Sequence, residues 1–268
     1  MRKFLGRIYN ASKYYNKYYW QILKWGFTSR EDTNYTFDLS PENIQYLAHT
    51  ISVVTEIEYS SILSYIEEAE ADLLLKKSII DSINKSAFKK SADLIIRFGR
   101  RLGWYAFARA LKPKIIVETG VDKGLGSILL CAAILRNNEE GFEGKYYGTD
   151  INPHAGYLLS GKYKSVGEIL YGDSIESLSK LNENIELFIN DSDHSAEYEY
   201  QEYLTIEDKI SDNAVILGDN SHVTDKLALF SNKTNRKFLF FKETPLNHWY
   251  PGAGIGISYK GTKPFTER

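Results

Sequence analysis

The stretch that decides the fold is KIIVETGVDKGLGSILLCAAILRN, residues 114–137. Ile115, Ile116 and Val117 form a short apolar run closed by Glu118, Thr119 and Gly120, the pattern of a buried strand that ends in a turn. Gly120, Gly124 and Gly126 punctuate the turn, and the apolar residues that follow it read as a buried helix. A glycine turn between strand and helix lets bare backbone approach a ligand. Its spacing is G-x-x-x-G-x-G, which fails the G-x-G-x-x-G rule of dinucleotide-binding turns. The expected ligand is a nucleoside with a charged tail that is not a diphosphate. The bland alternative is a glycine-rich turn that holds no ligand.

Outward from this unit the same alternation repeats. KYYGTD (145–150), SVGEILYGD (165–173), IELFIND (185–191) and AVILGDN (214–220) read as strands, with helical patterns in SIESLSKL (174–181) and SAEYEYQEYLTIEDKI (195–210). KFLFFKE (237–243) and GAGIGISYK (252–260) are two late strands with no clear helix between them, which suggests an antiparallel pairing at the sheet edge. The fold class expected is α/β: a doubly wound, mostly parallel seven-stranded sheet with an antiparallel last strand. Ligands of such sheets bind beyond the carboxyl ends of the strands, and Glu118, Asp150, Asp173, Asp191 and Asp219 all fall there.

The residues before the sheet read as mostly helical. Ser40 and Pro41 are a helix start, apolar spacing from about residue 58 to 84 marks a second helix, and ADLIIRFGRRLGWYAFARALK (92–112) marks a third, ending before Pro113. The expected domains are a mainly helical N-terminal extension over residues 1–90 and a catalytic domain over 91–268. Residues 1–30 carry Arg2, Lys3, Arg7, Lys13, Lys17, Lys24 and Arg30 and no acid, a charge of +7, while the rest of the chain has 26 basic against 35 acidic residues. This arm is also rich in tyrosine and tryptophan. Docking on the protein's own acidic body or on a second copy in a homo-oligomer, an anionic membrane surface, and nucleic acid are its candidate partners, in that order. A single cysteine, Cys131, permits no internal disulfide and suggests a reducing compartment, so the cytoplasm is expected, at the inner face of the membrane if the arm binds lipid.

On these residues the chain resembles class I S-adenosylmethionine-dependent methyltransferases, a Rossmann-like family. VETGVDKGLGS is similar to their first motif, and the resemblance covers about residues 95–260. It implies that Gly120 and Gly124 flank the methionine part of S-adenosylmethionine, that Asp150 holds the ribose, that Asp173 sits near the adenine, and that Glu118, Thr119 and Asp191 also bind the cofactor. FINDSDH and ILGDN resemble the metal-dependent O-methyltransferases of the catechol and caffeoyl-coenzyme A type, and the "DSDH" and "GDN" regions also resemble sugar O-methyltransferases. That resemblance implies Mg2+ held by Asp191, Asp219 and Asn220. The family's lysine base is His194 here; histidine titrates near neutral pH and can take a hydroxyl proton, with Asp191 beside it. His222, His248 and Trp249 are expected to touch the acceptor, a small or sugar-like molecule. Two other readings remain: a metal-free methyltransferase site, and strand-end residues that only cap the following helices. A methyltransferase-like scaffold recruited by the basic arm is the alternative function.

Overall fold

The computed structural model describes residues 2–31 and 36–261. Seven strands form one sheet: β1 (Ile115–Thr119), β2 (Lys145–Asp150), β3 (Gly167–Tyr171), β4 (Ile185–Asn190), β5 (Ile210–Asp219), β6 (Lys237–Lys242) and β7 (Gly254–Tyr259). Their order is β3-β2-β1-β4-β5-β7-β6. All neighbours are parallel except that β7 runs antiparallel to both β5 and β6, so the last strand alone is reversed. The order turns outward from β1 in one direction and from β4 in the other, which opens a crevice above their carboxyl ends.

Helices cover both faces. On one side α5 (Arg101–Leu111) and α6 (Leu125–Glu139) lie on the sheet, with α2 (Pro41–Thr55), α3 (Tyr59–Ala71) and α4 (Leu73–Lys85) stacked outside them. Leu47, Ile62, Leu75, Trp104, Ile128 and Leu187 belong to one continuous core there. On the other side α7 (Ser174–Lys180), α8 (Ala196–Ile206) and α9 (Lys226–Lys233) close a second core around Phe188, Tyr203 and Phe230. Strand side chains alternate between these layers. In β1, Ile116 enters the first core and Val117 the second. Cys131 is buried in α6, as its apolar neighbours suggest.

Two helical readings need correction. The run from 58 to 84 is two helices, α3 and α4, broken at Asp72, whose carboxylate accepts from the Leu75 amide and caps α4. The run from 92 to 112 is helical only from Arg101. Gly99 turns the chain just before it at φ +53°, where an added Cβ would crowd Phe37. That turn delivers Arg100 and Arg101 to the crevice.

Helix α1 (Arg2–Thr28) stands apart from this body. Nearly all its described side chains are exposed. It is held at its carboxyl end, where Trp25 packs on Trp249 at 5.3 Å and Asp93 accepts from Ser29 Oγ and the Arg30 amide, both at 2.8 Å. No helix of the described residues is long and apolar enough to cross a membrane.

Candidate active site

The glycine turn brings backbone close to backbone. Gly120 leaves β1 at φ +77° and donates to the Thr149 carbonyl at 2.9 Å; an added Cβ would sit 2.2 Å from the Asp191 carbonyl oxygen. Only glycine allows the ends of β1 and β4 to meet so closely. Gly124 opens α6 at φ +89°, with an added Cβ 2.9 Å from Gly156.

Two cavities adjoin above the turn. The smaller, about 480 Å³, is lined by Gly120, Asp122, Thr149, Asp150, Asp173, Asp191 and Tyr198 among others. Asp150 closes β2 and accepts from the amides of Asp122 at 2.9 Å and Asn152 at 2.8 Å, which fixes its carboxylate at the rim. Asp173 caps α7 by accepting from the Glu176 amide and also accepts from the Tyr198 hydroxyl, both at 2.9 Å. The Thr149 hydroxyl is buried without a partner.

The larger cavity, about 590 Å³, is lined by Arg100, Arg101, Gly120, Asp191, His194, Asn220, His222 and Tyr250 among others. Gly120, Asp122 and Asp191 belong to both cavities. His194 Nε2 lies 3.0 Å from the Asn220 amide nitrogen and 3.9 Å from Asp191 Oδ1. Asn220 adopts φ +53° just past β5, and its side-chain oxygen is buried without a partner. Burial, then the nearby Lys242 and Arg100, lowers the His222 pKa and favours its neutral form.

A buried charge network forms the floor. Arg100, 4% exposed, grips Asp219 through Nε and one terminal nitrogen and reaches Glu243 at 3.2 Å. Arg101 lies 3.4 Å from Asp191. Burial alone would raise the Asp219 pKa, but the Arg100 guanidinium overrides it and keeps Asp219 ionised. Asp191 is pushed up instead, first by burial and then by the Asp219 charge. Beneath the smaller cavity, Glu202 on α8 collects the hydroxyls of Ser174, Ser192 (2.6 Å) and Thr119 (3.3 Å) and the Asn190 amide.

Of the expected cofactor residues, Gly120, Asp150, Asp173 and Asp191 line the smaller cavity. Glu118 and Thr119 do not. β1 alternation sends Glu118 under α6, where it accepts from Tyr146 and Ser127, and sends Thr119 to Glu202 on the opposite face. Gly124 shapes the turn rather than lining it. His194, Asp219, Asn220 and His222 gather at the larger site as expected. His248 and Trp249 do not: they pack against Phe37 and Trp25 and line a separate cavity under α1. The next residue, Tyr250, takes the rim position. Arg100 and Glu202 were not singled out by sequence. The tyrosines of α8 read as packing, which holds for Tyr203, fully buried, but Tyr198 faces the smaller cavity.

Asp191, His194 and Asp219 bring ligand atoms within 4.8 Å of one another, close enough for a cation. Arg100 engages both oxygens of Asp219, so a divalent ion there would share that carboxylate with a buried guanidinium. The unpartnered side-chain oxygen of Asn220 is a further candidate ligand. Asp191, Asp219 and Asn220, the set expected from the sequence, thus offer oxygen donors of the kind Mg2+ takes, beside a competing cation.

Residues 117–221 match the family model described as a methyltransferase domain, which spans the glycine turn and both acidic strand ends. Over these residues the chain is similar to that domain. The fold of the chain is similar to that of a methyltransferase from Geobacter sulfurreducens, at 15% identity and TM-score 0.50, over 68% of this chain and 89% of that one. It is likewise similar to an O-methyltransferase from Bacillus cereus solved with SAH, at 13% identity and TM-score 0.50, over 82% of this chain and 99% of that one. No curated protein matches the chain in sequence.

Proposed function

We propose that the chain is a class I S-adenosylmethionine-dependent methyltransferase that moves the methyl group of S-adenosylmethionine to a hydroxyl of a small or sugar-like acceptor. The observation that carries this reading is the junction at Gly120 and Asp191, where the two cavities share a wall. The smaller cavity suits the nucleoside: Asp150 accepts from the ribose hydroxyls, and Asp173 with Tyr198 borders the base. Gly120 exposes backbone to the methionine part. Bound there, S-adenosylmethionine supplies an electrophilic sulfonium methyl. In the larger cavity His194 takes the acceptor's hydroxyl proton, and Asn220 and Asp191 hold the imidazole ring in place. The acceptor oxygen bonds to the methyl carbon as the carbon–sulfur bond breaks. Arg100 and Arg101 supply positive charge where a metal-dependent relative would place its cation. Holding two reactants on either side of one wall is the main source of rate.

A second reading keeps Mg2+ on Asp191, His194 and Asp219, and their convergence favours it. It requires Asp219 to serve Arg100 and the ion together. Rates with excess chelator separate the two: an unchanged rate supports the guanidinium reading, and a loss restored by Mg2+ supports the metal. The buried cysteine suits a cytoplasmic enzyme.

His194→Ala is the test of the base. The expected result is a fall in kcat on the order of a hundredfold or more, with affinity for S-adenosylmethionine unchanged. A sugar and polyol panel supplies the acceptor. An unchanged kcat in the variant would remove His194 from the mechanism.

A further inference from the structure

Helix α1 has 27 residues, so it is about 40 Å long, and only its last turns touch the body. Wound at about 3.6 residues per turn, it places Lys3, Arg7, Lys13, Lys17 and Lys24 within roughly a third of its circumference. Phe4, Ile8, Tyr15, Tyr19, Ile22 and Leu23 share the opposite side, and all six are exposed. An unpartnered apolar face of this extent is costly in water and marks a contact surface. Its occupant follows from three features. The apolar side is too broad for a two-helix seam and is half aromatic, with amphipathic tyrosines of the kind that settle at a headgroup boundary. The basic side carries no acid anywhere in residues 1–30, so it presents a uniformly positive surface that an anionic partner complements. Finally, none of Lys3, Arg7, Lys13, Lys17 or Lys24 makes an ion pair with the body among the described residues.

We infer that α1 lies flat on an anionic lipid surface, its apolar side in the headgroup region and its lysines among acidic headgroups. The segment that follows α1 carries the enzyme's cavity with it: Glu31 and Thr36 both line the larger cavity. Membrane docking therefore sets that cavity near the lipid surface. This inference stands on the helix itself and does not depend on the identity of the acceptor.

Flotation of the full chain with vesicles tests it. Vesicles of phosphatidylcholine with phosphatidylserine should carry the protein up, pure phosphatidylcholine should not, and salt should weaken the association. Ile8→Glu with Tyr19→Glu should abolish flotation. Lys13→Glu with Lys17→Glu should weaken partitioning by on the order of tenfold or more. Both pairs lie on exposed positions, so each variant should bind S-adenosylmethionine as the parent does, which separates loss of the surface from loss of the fold. Failure of the intact chain to float with acidic vesicles overturns the inference. So does flotation that survives both variants. A dimer seen in sedimentation that Ile8→Glu with Tyr19→Glu dissolves would assign the face to a second copy instead.

Discussion

The two cavities that meet at Gly120 and Asp191 are built by different means. The smaller is assembled from strand ends and the first turns beyond them: Gly120, Asp150 and Asp173 each follow their own strand, and each is fixed by amides within a few residues or by a neighbouring strand. The larger rests on ion pairs between distant segments. Arg100 is 119 residues from Asp219 and 143 from Glu243 in sequence, yet the three form one buried cluster. Local backbone geometry makes the first cavity; desolvated charge makes the second. They should fail differently when perturbed.

The largest effect is expected at the shared wall. Gly120→Val should eliminate S-adenosylmethionine binding in calorimetry, because its Cβ meets the Asp191 carbonyl at a backbone angle that valine avoids. A variant that binds normally would show that the two strand ends can separate freely. The buried floor comes next. Arg100→Met leaves Asp219 and Glu243 without their cation, and the midpoint of urea unfolding should report a loss of about 3–5 kcal/mol. Adding Asp219→Leu and Glu243→Gln should recover part of it, since replacing a whole buried cluster by apolar or neutral groups is cheaper than breaking it.

Glu118 sharpens the contrast from beneath. Burial raises its pKa from an ordinary 4.5 to about 7, against the hydrogen bonds of Tyr146 and Ser127. The folded state thus holds its proton where the unfolded state has released it. Stability from this group is full below pH 4.5 and is lost as pH rises from there to about 7. Glu118→Gln should flatten that part of the stability profile, with a gain of roughly 3 kcal/mol at neutral pH. A profile identical to the parent's would mean that Glu118 is ionised in the fold. The smallest effect belongs to Tyr198→Phe, which removes the hydroxyl donated to Asp173. Cofactor affinity should fall by about 0.5–1.5 kcal/mol, with no change in acceptor KM.

The same contrast explains what the sequence discloses. The strands themselves, the reversed last strand and the cavity-lining positions Gly120, Asp150 and Asp173 follow from patterns a few residues long. Glu118 and Thr119 went astray by one step of logic: a strand's last residues alternate between faces, so neighbours at a strand end need not face the crevice together. Arg100 escaped because an arginine in a helical-looking run has no periodic signature; its partners lie on β5 and just past β6. His248 and Trp249 sit where the chain folds back under α1, and only the tertiary path places Tyr250 rather than either of them at the cavity. Helix α1 was legible as a basic aromatic arm, but its separation into two faces becomes a statement about contacts only once its apolar side is seen to be bare.

The most direct measurement is calorimetric titration of S-adenosylmethionine into the full chain, run beside Asp150→Ala. The account predicts micromolar binding by the parent and a loss of about tenfold or more in the variant, whose ribose acceptor is gone. No heat with the parent, or equal affinity in the two proteins, would contradict the assignment of the smaller cavity to the cofactor.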